Sequence, residues 1–292
     1  MLRGVVLIAL AAVSWGTTGS VTTLLASADV GPWVIGAARM WVGAALLLLV
    51  TRAAGARLPL DRHGLAAAAL LGACMAAFQV TYFSAVTMIG ITLTALLAIC
   101  AAPLMVAGVA VVALDERPSA RVTVALGLGV LGTALLVTGP EAVAPPTPRF
   151  VPGTLLALGA ALSYAIYVVI GKRAVARTAP VPLAALTFTA AGLLLAPTAA
   201  LAPAPLRELA RGWPWLLYLG AVTTGAAYTL YTTGLRRVPA AVAAIVSLCE
   251  PLTAALLGAL FFGERLGSGG AVGAALLVAA VLSILVDGRR AR

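Results

Sequence analysis

The chain alternates long apolar runs with short polar breaks. Ten runs can be drawn, at 4–25, 32–51, 64–86, 91–113, 119–138, 152–171, 180–201, 213–235, 239–262 and 267–286. Each is close to the roughly 20 residues that a helix rising about 1.5 Å per residue needs to cross a bilayer core. The pattern predicts an all-α membrane protein with ten transmembrane helices. The first run has the outline of a signal peptide, with Arg3, an apolar core and Ala26-Ser27-Ala28 behind it. It is read as a retained span, because the second half of the chain repeats it.

That repeat has an offset of 148 or 149 residues. Gly4 aligns with Gly153, Ser14-Trp15 with Ser163-Tyr164, Tyr82 with Tyr231, Pro103 with Pro251, and Glu116 with Glu264. The seam is the proline-rich stretch from Gly139 through Pro140, Pro145, Pro146 and Pro148 to Pro152, which reads as a spacer and not as a helix interior. The expected organisation is a first five-helix unit over 1–138, a linker over 139–151 and a second five-helix unit over 152–292. Five is odd, so the second unit enters the membrane from the opposite side. The two units form an inverted repeat about an axis in the membrane plane, an arrangement that suits alternating access.

Composition agrees. Of 292 residues, 62% are hydrophobic and 10% charged, with mean hydropathy +1.10, values that point to a polytopic membrane protein and not a soluble domain. The net charge of +10 does not imply nucleic acid, because the basic residues are spread over short loops. With the N-terminus placed inside, fourteen of the nineteen basic residues fall inside, four outside and Arg39 within a span. This bias predicts a multi-pass protein of the cell (inner) membrane with both termini cytoplasmic. Cys74, Cys100 and Cys249 lie in apolar runs without a ligand spacing and read as small buried hydrophobes, and His63 sits in a basic loop. No Walker loop, Gly-x-Ser-x-Gly, His-Glu-x-x-His or paired-Asp motif occurs, so neither an enzyme nor a cofactor is expected.

Polar groups inside the spans are few. Glu250 is the only acid well inside one, near the middle of span nine, where a carboxylate costs about 2.5–3.5 kcal/mol to insert and so faces a bundle interior or a wet cavity. Pro251 follows at once and predicts a kink near Ser247. An acid at a helix break at mid-membrane fits a substrate amine or proton coupling; pairing that stabilises the break is the structural alternative. Span four echoes the stretch, with thirteen residues from Pro103 to Glu116 as from Pro251 to Glu264, but Ala102 stands where Glu250 stands. Arg39 is the only base well inside a span; it could pair with Glu250, bind a substrate carboxylate or snorkel. Trp15, Gln79, Tyr82, Tyr164, Tyr167, Tyr228 and Tyr231 carry polar tips, and three pairs among them are three residues apart and so share a helix face, consistent with a cavity wall or with aromatic packing. Glu116 and Glu264 are expected to cap spans five and ten, Pro205–Arg211 to form a short surface helix, Trp33, Trp213, Trp215 and Tyr218 to sit in an interfacial belt, and Gly269 with Gly273 to let helices approach closely.

Taken together, the ten spans, the inverted repeat, Ser14-Trp15-Gly16, Arg39, and Pro103…Glu116-Arg117 with its copy Pro251…Glu264-Arg265 resemble the drug/metabolite transporter superfamily, EamA type. The resemblance covers nearly the whole chain, and the repeated Pro-x12-Glu is its most distinctive feature. It implies two EamA repeats, a cavity built mainly by spans one, three, four, six, eight and nine, and export of amino acids or other small metabolites. By that similarity Trp15, Gln79, Tyr82, Tyr164, Tyr228, Tyr231 and Glu250 are substrate-site candidates, beside Arg39. The chain departs from the pattern in lacking an intramembrane lysine or asparagine, which leaves only Arg39 to neutralise a phosphate. The expected partners are a small-molecule substrate and the lipid bilayer, with proton coupling open and the oligomeric state not legible. The rival readings are the same fold carrying nucleosides or cationic drugs, and a non-transporting scaffold or sensor.

Overall fold

A computed structural model describes residues 1–137, 148–261 and 267–290, with side chains through 285. The described residues are helical almost throughout and include no strand. This follows from the solvent: in hydrocarbon each backbone N–H and C=O must find its partner within its own segment. Span one consists of α1 (Leu2–Gly16) and α2 (Thr18–Ser27), span two of α3 (Pro32–Ala53), span three of α4 (Arg62–Ile89), span four of α5 (Ile91–Leu114) and span five of α6 (Ala120–Val137). In the second half, α7 (Phe150–Arg177) is span six, and α8 (Pro180–Leu195) with a 3-10 turn at Ala196–Leu201 is span seven. Span eight runs through α9 (Pro205–Tyr218), a π-helical stretch (Leu219–Ala226) and α10 (Ala227–Leu235). Span nine is α11 (Ala240–Ser247) and α12 (Cys249–Phe261), and span ten is α13 (Ser268–Arg290). Nine of these are long and apolar enough to cross a bilayer as they stand. Span eight is the tenth, helical from Pro205 to Leu235 but wound differently in its middle.

Helix ends follow local chemistry. Prolines in the first turn open α3, α8 and α9, where a missing N–H costs nothing. Asp61 caps α4 by accepting from Gly64 N at 3.4 Å. Gly90, at φ 78, is the only residue between α4 and α5, a turn that a side chain would strain.

Contacts between helices repeat about the pseudo-axis. A Cβ on Gly4 would lie 2.8 Å from Arg237 Cβ and Val238 Cγ1, where span one meets the end of span eight. A Cβ on Gly153 would lie 2.5 Å from Ile89 Cγ2, where span six meets the end of span three. A Cβ on Gly72 would lie 2.6 Å from Ala190 Cβ of span seven, just as one on Gly220 would lie 2.2 Å from Val42 Cβ of span two. Small residues permit such approaches where no hydrophobic force drives helices together. Spans five and ten pack on each other, with Gly132 and Gly273 in contact. Gly273 makes the expected close approach, a Cβ there falling 2.5 Å from Gly132 O, whereas Gly269 has nothing within 4 Å.

Two expectations are corrected. Pro205–Arg211 is not a separate surface helix but the first turns of span eight. Its Glu208 is buried and accepts from Gly31 N at 2.8 Å, and Gly212 packs against Leu25 and Val30, so the segment docks on the loop between spans one and two. Glu116 caps span nine and not span five. Asp115, in the left-handed region at φ 54, turns the chain out of α5, and Glu116 Oε2 then accepts from Ala240 N at 2.7 Å. Glu264, its repeat partner, lies outside the described residues, as do Glu141, Arg265 and the linker over 139–147.

The two faces of the bundle differ in tightness. On the face carrying Met1, all eight residues of α11 are buried. Beside Glu116, Lys172 Nζ donates to Leu235 O at 2.9 Å and Val238 O at 2.6 Å, and Arg173 donates to Ala113 O. Toward the other face, α12 buries only Pro251 and Gly258.

Candidate functional site

A cavity of about 110 Å³ opens at the middle turns of the helices. Span one contributes Trp15 and Thr18, span two Arg39 and Met40, and span three Met75, Phe78 and Gln79. The second half closes it with Tyr164, Tyr228 and Glu250.

Three helix breaks set these side chains. In span nine the helix stops at Ser247 and restarts at Cys249, which puts Glu250 in the first turn of α12. This is the predicted kink, since Pro251 has no N–H to give to the turn before it. Span one breaks at Thr17, whose Oγ1 donates to Ser14 O at 2.7 Å and lies 3.0 Å from Tyr218 OH. The two breaks touch: a Cβ on Gly16 would fall 2.5 Å from Thr253 Cβ and 2.7 Å from Glu250 O.

The third break is the π-helical stretch of span eight. Widening a helix to this winding shifts its carbonyls out of the α register. Trp15 Nε1 donates to Thr223 O at 2.9 Å, and Ser14 Oγ donates to Val222 O at 3.3 Å. Thr224 Oγ1 donates five residues back to Leu219 O at 3.0 Å and accepts from Arg39 Nε at 3.3 Å. The π stretch thus fixes both Trp15 and Arg39. Sequence reasoning passed over it, although Gly220, Thr223, Thr224 and Gly225 within one apolar run are the signal that marks it.

Aromatic rings pack around and beneath the cavity. Trp15 lies 5.0 Å from Tyr228 and 5.2 Å from Tyr231, and Phe188 lies 4.5 Å from Tyr228, measured between ring centroids. Tyr164 OH donates to Tyr231 OH at 3.4 Å and is 3.5 Å from Ser247 Oγ, while Tyr228 OH reaches Met75 Sδ at 3.5 Å.

Of the eight residues proposed from sequence, Glu250, Trp15, Gln79, Tyr164, Tyr228 and Arg39 line the cavity. Tyr231 is fully buried beneath Trp15, and Tyr82 stacks on Phe78 at 5.6 Å, outside the lining. Thr18, Met40, Met75 and Phe78 were missed, because an apolar or hydroxyl residue in an apolar run carries no mark of a cavity. Span four was expected in the wall and contributes nothing to it; span two takes part instead. Ala102, facing no polar partner, is buried in packing, whereas Arg39 brings span two inward through Thr224.

The polar groups here are unusually free. Among the described residues nothing donates to the Glu250 carboxylate, and no ion pair within 4.0 Å joins it to Arg39. Among the described residues Arg39 hydrogen-bonds through Nε alone, and Gln79 Nε2 is buried without a partner. The described residues contain no cluster of His, Cys, Asp and Glu able to hold a metal.

A multi-span helical bundle that brings one acid and one base to a mid-depth cavity has the architecture of a small-molecule membrane transporter. Comparison with known proteins makes the class specific. The EamA-like transporter family matches residues 2–138 and again 151–286, and the chain belongs to that family. It is 34% identical to the uncharacterized transporter YwfM of Bacillus subtilis (strain 168) over 96% of this chain and 93% of that one. An uncharacterized transporter of Archaeoglobus fulgidus is 32% identical over 69% of this chain and 70% of its own length. A solved structure, described only as the crystal structure of a protein, superposes with a TM-score of 0.84 over 99% of this chain and 98% of that one, at 20% identity, and so speaks for the fold alone.

Proposed function

We propose that the protein exports amino acids or related small metabolites across the cell (inner) membrane by alternating access. The observation that carries this reading is Glu250, a carboxylate facing a cavity at mid-depth that makes no hydrogen bond or close ion pair among the described residues. Such a group calls for a cation, which a substrate amine or a proton supplies. The moving units are the two five-span halves, 1–138 and 152–292, joined by 139–151. The bias of basic residues among the loops supports cytoplasmic termini.

Cavity size separates the substrate classes. About 110 Å³ is well below the roughly 300–1,000 Å³ of pockets that take drug-sized ligands, which favours a small metabolite over a nucleoside or cationic drug. Aromatic walls and Met40 and Met75 suit an apolar side chain. The test is flux of labelled amino acids, nucleosides and cationic dyes from proteoliposomes, with and without a pH gradient. Amino-acid flux is the expected result, and its response to the gradient reports proton coupling. Flux of a nucleoside or dye alone would replace the substrate class. No flux of any class would favour a non-transporting scaffold.

A further inference from the structure

The cavity is lined by groups of opposite charge. Glu250 stands on the wall made by spans nine and one, its backbone held against Gly16. Spans two and three bring the Arg39 guanidinium and the Gln79 amide to the same cavity, the first a donor only and the second a donor with an acceptor oxygen of its own. Arg39 is anchored through Nε to Thr224, which leaves its two Nη groups without an acceptor among the described residues. Gln79 is 5% exposed, lines the cavity, and its Nε2 has no partner. Gly36, one turn before Arg39 on the same face, makes room for that amide: a Cβ there would lie 3.4 Å from Nε2.

A lone amine would satisfy only half of this site. It would neutralise Glu250 and leave the Arg39 and Gln79 donors dry, and a buried site built to hydrogen-bond a group discriminates strongly against ligands that lack it. A lone anion would leave Glu250 unpaired. Resting on the amino-acid reading above, we propose that Arg39 and Gln79 are specificity-determining residues that read the substrate carboxylate. The protein then selects molecules carrying both an amine and a carboxylate over the amine alone. The planar Arg39 fork and the Gln79 amide together offer the donors that two carboxylate oxygens accept.

The test compares labelled alanine, leucine and phenylalanine with ethylamine, 3-methylbutylamine and phenethylamine, the same molecules without the carboxyl group, in proteoliposomes of the full chain. Wild type is expected to carry each amino acid about tenfold or more faster than its amine at equal concentration, the scale of one charge-assisted hydrogen bond. Gln79→Leu and Arg39→Met should narrow that gap. Gln79→Glu, which keeps the side-chain length and places an acid against the carboxylate, should reverse it. A monodisperse elution profile for each variant excludes misfolding as the cause. Equal flux of amine and amino acid in wild type, or a gap unchanged in folded Gln79→Glu, would overturn the proposal and leave the amino-acid reading standing. Absence of all amino-acid flux in wild type would overturn both.

Discussion

Spans one, eight and nine and spans six, three and four are symmetry mates, yet one trio is interrupted and the other continuous. Span one breaks at Thr17, while span six runs unbroken from Phe150 to Arg177. Span eight widens into a π stretch, while span three is one helix from Arg62 to Ile89. Span nine divides at Leu248, and span four continues through Pro103. The two trios come from similar sequences, so the difference lies in packing and not in propensity. Pro103 and Pro251 make the point: the same residue at the same place leaves one helix whole and splits the other. A proline permits a break, and the surroundings decide whether it is taken. Around Pro251 the break is held by Gly16, by the cap that Glu116 places on α11, and by the Ser247 hydroxyl donating to Ala243 O at 2.9 Å. Two like trios in two shapes fit the alternating access proposed above, in which the other state would be the exchange of those shapes.

The charged groups break the same symmetry. Glu250 has Ala102 as its mate. Arg39, seven residues after the proline that opens span two, has Thr187, seven after Pro180 of span seven, and Thr187 is buried with a hydroxyl that has no partner among the described residues. Each half therefore supplies one charge, and neither supplies both.

Moving the acid should break the comparison most sharply. Glu250→Ala is expected to lower flux by roughly a hundredfold or more, the scale for removing a buried ligand charge. Adding Ala102→Glu to it should restore nothing, because span four does not reach the cavity; recovered flux would show the two trios to be interchangeable in one state. Next comes Gly16→Leu, which drives atoms into Thr253 and the Glu250 backbone. It should cost about 1–3 kcal/mol or more and lower the melting temperature in detergent. The proline pair follows. Pro251→Ala should slow transport about tenfold by removing the break in span nine, while Pro103→Ala should change it less than about twofold, since span four is unbroken already. Equal effects of the two would remove the assigned difference. The smallest effect is expected from Glu116→Gln, a loss of about 1 kcal/mol in thermal stability from a weakened cap on span nine.

Most of the fold was legible because hydrocarbon enforces one rule per segment: about twenty apolar residues become a helix. The number of spans and the break at Pro251 followed from that rule and from proline, whereas span eight begins at Pro205 and not at 213. Glu250, Arg39 and Gln79 stood out because a polar side chain in an apolar run has few explanations. What was not legible depends on contacts between segments. The break at Thr17 and the π stretch of span eight exist because Ser14 and Trp15 take carbonyls from Val222 and Thr223, more than two hundred residues away. Tyr82 and Gln79 share a helix face, yet only Gln79 lines the cavity, because Phe78 stacks on the tyrosine. Glu116 could be assigned to a helix end but not to the right helix, since its partner Ala240 is brought to it by the fold.

The central claim is that the cavity carboxylate, Glu250, binds what crosses the membrane. The most direct measurement is amino-acid flux through Glu250→Gln and wild type reconstituted at equal amounts, after both are shown to insert and elute alike. The amide keeps the shape and removes the charge, so flux is expected to fall to the level of empty liposomes. Flux close to that of wild type would contradict the claim and take Glu250 out of the transport path.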